Sequence, residues 1–248
     1  MDSPLKYHRD RLDVSVLTPN NIDRLQLEMI PRQSRVLEVG CATGYMSEYL
    51  ESEKGCEVYG VELDAGQAGR ARERGLDVLT GSIDDPEVQE KLGAHVREKG
   101  PFDVVFMSQV IEHLARPEDV LLEAREWLGS SGLLVISTCN VAHWRVRFAL
   151  LRGRWQYTDF GILDRDHLRF FTMKSFARLL EECGYEPVDF AFSFEDFCPF
   201  KLLFDFRLLA PSDVFRCLPG IGMPLRRRYL QLTKGLVATQ FVYAARPK

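Results

Sequence analysis

With 248 residues, 46% of them hydrophobic, the chain can bury one substantial core and stays just below the size at which cores divide, so a single domain over residues 1–248 is expected. A formal charge of −4, with the main part of the chain acidic and the basic cluster far along it, argues against tracking of a long polyanion, and a nucleic-acid partner is not expected. The cysteines at 41, 56, 139, 183, 198 and 217 show no C-x-x-C pair, which excludes a zinc knuckle and fits reduced thiols.

Met1 to Asp13 is polar and charged, without a signal-peptide apolar core, and no run of about eighteen apolar residues follows, so a cytoplasmic location is expected. The first strong signal is Val36-Leu37-Glu38-Val39-Gly40-Cys41-Ala42-Thr43-Gly44-Tyr45-Met46-Ser47-Glu48-Tyr49-Leu50, which reads as strand, ligand-binding turn and helix. Gly40 and Gly44 permit a sharp turn and a close approach of a flat ligand to the main chain. The turn lacks both G-x-G-x-x-G and a P-loop Lys-Ser/Thr, so it has no evident pyrophosphate cradle. Glu38 would repel a phosphate and suits a ligand bearing an ammonium group.

Cys56 to Asp64 reads as a second strand ending in acid, placing Glu62 and Leu63 where a ribose-binding carboxylate belongs. A helix over Ala65 to Arg74, stopped by Gly75, leads to a short strand at Asp77 to Thr80 and then to Ser82, Ile83 and Asp84. Pro86 to Lys99 reads as helix, and Phe102 to Met107 as a strand buried on both faces. A helix from Pro117 to Leu128 and a turn at Gly129 to Gly132 precede a fifth strand, Leu133 to Ser137. Thr172 is the expected N-cap of a helix over Lys174 to Cys183, and Val188 to Phe194 and Ala238 to Ala244 are expected to pair at one edge.

The alternation predicts an α/β fold, a Rossmann-like doubly wound sheet of seven strands, mostly parallel with one reversed strand at the edge. Two insertions are expected: an aromatic one at 141–171 and a basic amphipathic one at 196–236. From Asp196 onward, nine lysines and arginines face three aspartates, a local +6 against −10 elsewhere. Phe197, Phe200, Leu203, Phe204 and Leu208 stand there at helical spacing, most simply as core. A lid, or peripheral contact with an anionic membrane through Arg226, Arg227 and Arg228, is the sharper reading.

The acidic glycine turn and the second acidic strand end resemble the class I S-adenosylmethionine-dependent methyltransferases. The resemblance spans most of the chain and departs at Ala42, where many members have glycine. It implies S-adenosylmethionine as cofactor, with Glu38, Gly40, Cys41, Ala42 and Gly44 at its methionine end. Glu62 and Leu63 would take the ribose and Ser82, Ile83 and Asp84 the adenine; Ser108 would contact the cofactor, and Gln109 would stand near the sulfonium.

Loops at the carboxyl ends of the fourth and fifth strands should face the reactive end, and they carry His113 and His167. Transfer to a hydroxyl needs its proton removed, which makes these histidines the candidate bases. Gln109-x-x-Glu112-His113 with the later His167 is similar to the Glu-x-x-Glu-His of ubiquinone-pathway O-methyltransferases and small-RNA 2′-O-methyltransferases, which use a divalent cation there. Glutamine in place of the first carboxylate weakens a hard-cation site but can still offer an oxygen, so a divalent metal stays open as a second cofactor while no metal ligand is assigned. Trp144, Trp155, Tyr157 and Phe160 offer stacking surfaces for a sugar or aromatic ring, and Arg152 and Arg154 for an anionic acceptor group. The leading expectation is O-methylation of a sugar, lipid-linked or aromatic small molecule. RNA 2′-O-methylation and a non-catalytic accessory role in methionine biosynthesis are the alternatives; the oligomeric state stays open.

Overall fold

A computed structural model describes residues 12–195 and 222–248. Its centre is a seven-stranded sheet in the order β3-β2-β1-β4-β5-β7-β6. The strands are β1 (Arg35–Val39), β2 (Glu57–Glu62), β3 (Asp77–Thr80), β4 (Phe102–Ser108), β5 (Leu128–Cys139), β6 (Tyr185–Phe194) and β7 (Ala238–Pro247). The first five are parallel; β7 runs antiparallel to β5 and β6 and lies between them, with β6 as the rim.

The helices are α1 (Ile22–Met29), α2 (Tyr45–Lys54), α3 (Ala65–Glu73), α4 (Pro86–Lys99), α5 (Pro117–Trp127), α6 (Trp144–Leu151), α7 (Met173–Glu182) and α8 (Gly222–Val237). Alternation along β4 shows how they cover the sheet. Val105 and Met107 pack with Leu92 of α4, Leu121 of α5 and Phe176 of α7, whereas Val104 and Phe106 pack with Leu27 of α1 and Leu50 of α2. A strand apolar on both faces therefore needs helices on both faces, which is why it reads as an unbroken apolar run.

Local chemistry sets the helix ends. Asn21, Asp64 and Asp85 accept from the first-turn N–H groups of α1, α3 and α4. Thr172 and Ser175 form a reciprocal capping box on α7. The turn expected at Gly129 to Gly132 is instead extended backbone within β5. Leu128 pairs with Phe102 and Leu133 with Val104, so the residues between form an irregularity in the ladder.

The aromatic excursion leaves the sheet at Asn140 and returns at Phe171. Asn140 pairs with Phe171 as an isolated bridge, while its Nδ2 donates to the Ala238 carbonyl at 2.8 Å. The Phe197 to Leu208 stripe falls outside the described residues. Among those described, no helix is long and apolar enough to cross a membrane.

Candidate active site

A cavity of about 580 Å³ opens at the carboxyl ends of β1, β2, β3 and β4. Glu38, Gly40, Cys41, Ala42, Glu62, Leu63, Ser82, Ile83, Asp84, Ser108, Gln109 and His113 all line it. The parallel strands end together there, and each hands over to a loop at the same level.

Gly40 begins the turn with φ +73°, and a Cβ there would meet Val110 Cγ2 at 2.5 Å. Ala42 also adopts a left-handed conformation, φ +51°, at the position where the resemblance expects glycine. Its N–H donates to Glu62 Oε2 at 2.8 Å, and Asp64 N–H donates to Glu62 Oε1 at 2.8 Å. The Glu62 carboxylate thus clamps two loops and faces the cavity, and burial pushes its pKa up.

Gly44 departs from its expected role. It caps α2 and does not line the cavity, and a Cβ there would strike Leu76 Cδ1 at 2.2 Å. Its small size serves the packing of α2 against α3 and the turn before β3.

Glu38 is buried and accepts a hydrogen bond from Ser47 Oγ. Burial is the main cause that pushes its pKa up to about 8, with the hydroxyl acting against it. Burial thus favours the neutral carboxyl, and a cation beside it would favour the ionised form.

The two histidine loops meet as expected. Leu168 and Arg169 N–H groups both donate to the Glu112 carbonyl, at 2.9 and 3.0 Å, which ties the returning loop to the short turn Ile111–His113. The His113 and His167 rings pack edge to face with centroids 4.9 Å apart. His113 Nδ1 lies 3.1 Å from the Asp166 main-chain carbonyl oxygen, an acceptor only, so Nδ1 is the donor in this contact and Nε2 is the ring nitrogen left for a ligand.

His167 is buried behind His113, outside the cavity wall. Its Nδ1 lies 3.2 Å from the Ile162 carbonyl, and its Nε2 lies 4.0 Å from Glu112 Oε1. Burial pushes the Glu112 pKa up to about 7.

Gln109 lines the cavity with a left-handed backbone, φ +55°. Its Oε1 accepts from Gln240 Nε2 at 3.0 Å and from the Cys139 thiol at 3.3 Å, while its Nε2 donates to Ser137 Oγ at 2.9 Å. That carboxamide is committed to the protein and does not fit a metal ligand. Among the described residues, no group of three or more His, Cys, Asp or Glu side chains is placed to hold a metal ion. Sequence reasoning missed Gln240 and Gln26, whose partners lie on distant strands.

Trp144 is buried, with Nε1 donating to the Glu195 carbonyl at 3.2 Å, so it offers no stacking face. Trp155, Tyr157 and Phe160 are exposed. Trp155 stands edge-on to Phe170 with centroids 5.3 Å apart, and Phe170 lies 6.1 Å from the His167 ring. The exposed aromatics therefore continue outward from the histidine pair.

A family model for a methyltransferase domain matches residues 11–189. The chain belongs to the class I S-adenosylmethionine-dependent methyltransferases. Among curated relatives, a ubiquinone biosynthesis O-methyltransferase of Cereibacter sphaeroides is 29% identical over 165 residues, covering 62% of this chain and 61% of the relative. One of the same name from Dechloromonas aromatica is 26% identical over 175 residues, covering 69% and 72%. The chain thus spans about three fifths of the Cereibacter relative's length.

Solved structures share the fold of this chain. A SAM-dependent methyltransferase from Archaeoglobus fulgidus superposes with a TM-score of 0.55 at 20% identity, covering 87% of this chain and 86% of that one. One from Mesorhizobium loti gives 0.52 at 15% identity, covering 90% and 97%. S-adenosylmethionine is the cofactor of the family. The cavity carries one acid, Glu38, before the glycine turn and a second, Glu62, at the end of β2, with a close main-chain approach open at Gly40.

Proposed function

We propose that this chain transfers a methyl group from S-adenosylmethionine to a hydroxyl of a small-molecule acceptor, a sugar, lipid-linked or aromatic compound, with His113 as general base. The observation that carries this reading is the contact made by His113: Nδ1 is the donor to the Asp166 main-chain carbonyl, and Nε2, left for a ligand, belongs to a ring in the cavity wall. The names of the curated relatives support oxygen as the methylated atom.

In this reading Glu38 and the Gly40 to Ala42 turn hold the methionine end, Glu62 and Leu63 the ribose, and Ser82 to Asp84 the adenine. The cofactor supplies an electrophilic methyl that needs little activation. The acceptor oxygen would take that methyl with S-adenosylhomocysteine as the leaving group, and His113 Nε2 would take the hydroxyl proton. His167 acts through His113 as a positioning residue, packed against its ring. Trp155, Tyr157 and Phe170 would support the rest of the acceptor.

The test is transfer of a labelled methyl to a panel of hydroxylated sugars and phenols. His113→Ala should lower turnover by about 100-fold or more while S-adenosylhomocysteine affinity stays within about threefold. Turnover retained in His113→Ala would remove the base assignment.

A further inference from the structure

Five polar side chains from four elements form a continuous hydrogen-bonded chain beneath the cavity. Gln240 Nε2 of β7 donates to Gln109 Oε1, whose Nε2 donates to Ser137 Oγ of β5. Ser137 Oγ donates to Gln26 Oε1 of α1 at 2.8 Å, and Gln26 Nε2 donates to Ser108 Oγ of β4 at 2.7 Å. Gln26 and Ser137 are fully buried, whereas Ser108, Gln109 and Gln240 reach the cavity.

Such a chain of amides and hydroxyls is satisfied in either direction unless something breaks the symmetry. Met46 breaks it. Its thioether sulfur lies 3.6 Å from Gln26 Nε2 and only accepts, so the amide nitrogen of Gln26 faces Met46 and Ser108, and its oxygen faces Ser137. Ser108 Oγ therefore receives a hydrogen bond from below, and its own proton has no acceptor among the described residues. In a cavity-lining residue, that proton is free for a ligand.

The register places this donor. Val39 pairs with Met107, so Ser108 stands level with Gly40, on the side of β1 opposite β2 and Glu62. With ribose on Glu62, the amino-acid end of the cofactor lies over Gly40 and Ser108.

Resting on the proposed cofactor orientation, we infer that Ser108 donates a hydrogen bond to the carboxylate of the methionine moiety, and that Gln26 is the positioning residue that makes it a donor. Buried Gln26 reads Met46 on one side and fixes the proton of Ser108 on the other.

The test is a double-mutant cycle read by calorimetry, with S-adenosylhomocysteine and 5′-methylthioadenosine as ligands. Gln26→Glu, titrated at a pH at which the new buried carboxyl is ionised, replaces the donor by a group that only accepts, so Ser108 turns its proton inward. Ser108→Ala and Gln26→Glu should each weaken S-adenosylhomocysteine about tenfold, and the double variant no further. Binding of 5′-methylthioadenosine, which lacks the carboxylate, should stay within about twofold in all of them. Additive losses, equal losses for both ligands, or no loss in Ser108→Ala would overturn the inference. If thermal unfolding shows Gln26→Glu unfolded, Gln26→Met, close in length, takes its place: it removes the donor without turning the Ser108 proton inward, so a loss smaller than that of Ser108→Ala is expected, and additive losses again overturn the inference. A folded wild type that binds neither ligand overturns the cofactor reading itself, whereas binding with an additive cycle overturns only the role of Gln26.

Discussion

The main-chain N–H of Ala42 donates to Glu62 Oε2 at 2.8 Å, so the carboxylate proposed for the ribose also closes the glycine turn. One side chain thus shapes the loop and faces the ligand, and loop geometry and affinity are coupled at this contact.

Ala42 holds a left-handed φ of +51°, a conformation that costs an L-residue about 1 kcal/mol. Ala42→Gly removes that strain but gives the unfolded chain more freedom, and the balance should favour the folded state by about 0.5 kcal/mol. Urea unfolding should show a higher midpoint, with S-adenosylhomocysteine affinity within about twofold. A lower midpoint would mean that the Ala42 methyl contributes packing that outweighs the strain.

Gly40 and Gly44 separate by role. Gly44→Ala drives a methyl into Leu76 and should destabilise by about 2 kcal/mol, and Leu76→Ala in the same chain should relieve part of that loss. Gly40→Ala drives one into Val110, a cavity-lining residue, and should cost ligand affinity as well as stability. Loss of affinity in folded Gly44→Ala as large as in Gly40→Ala would contradict the assignment.

Glu38 predicts a pH dependence. Its folded pKa of about 8 stands above its ordinary 4.5, so the folded state holds the proton more tightly than the unfolded one. Its contribution to stability is then fully present below about pH 4.5 and is lost as pH rises to about 8. The melting temperature of the ligand-free protein should fall across that window, and Glu38→Gln should flatten the decline. An unchanged slope in Glu38→Gln would show that Glu38 does not carry it.

The parts of the fold visible in the sequence are those fixed by short-range chemistry. Gly40 to Gly44 reads correctly as a turn because turn residues act locally, and Phe102 to Met107 as a buried strand because an unbroken apolar run has few other solutions. Gly44 reads as a ligand-binding glycine because its actual reason, the Leu76 methyl, lies across the turn from α2 and leaves no local mark. Trp144 reads as a stacking platform because exposure is a tertiary property. Gln26 and Gln240 resemble polar positions of half-exposed elements, and only the sheet order brings them to Gln109 and Ser137. Convergence of His113 and His167 was legible because both follow strands that end at the same edge.

The most direct test of the account is calorimetric titration of S-adenosylmethionine and S-adenosylhomocysteine into wild type, Glu62→Ala and His113→Ala. The account predicts micromolar binding to wild type, a loss of about tenfold or more in Glu62→Ala, and near-unchanged binding in His113→Ala. No binding to a folded wild type, or equal losses in the two variants, would contradict it.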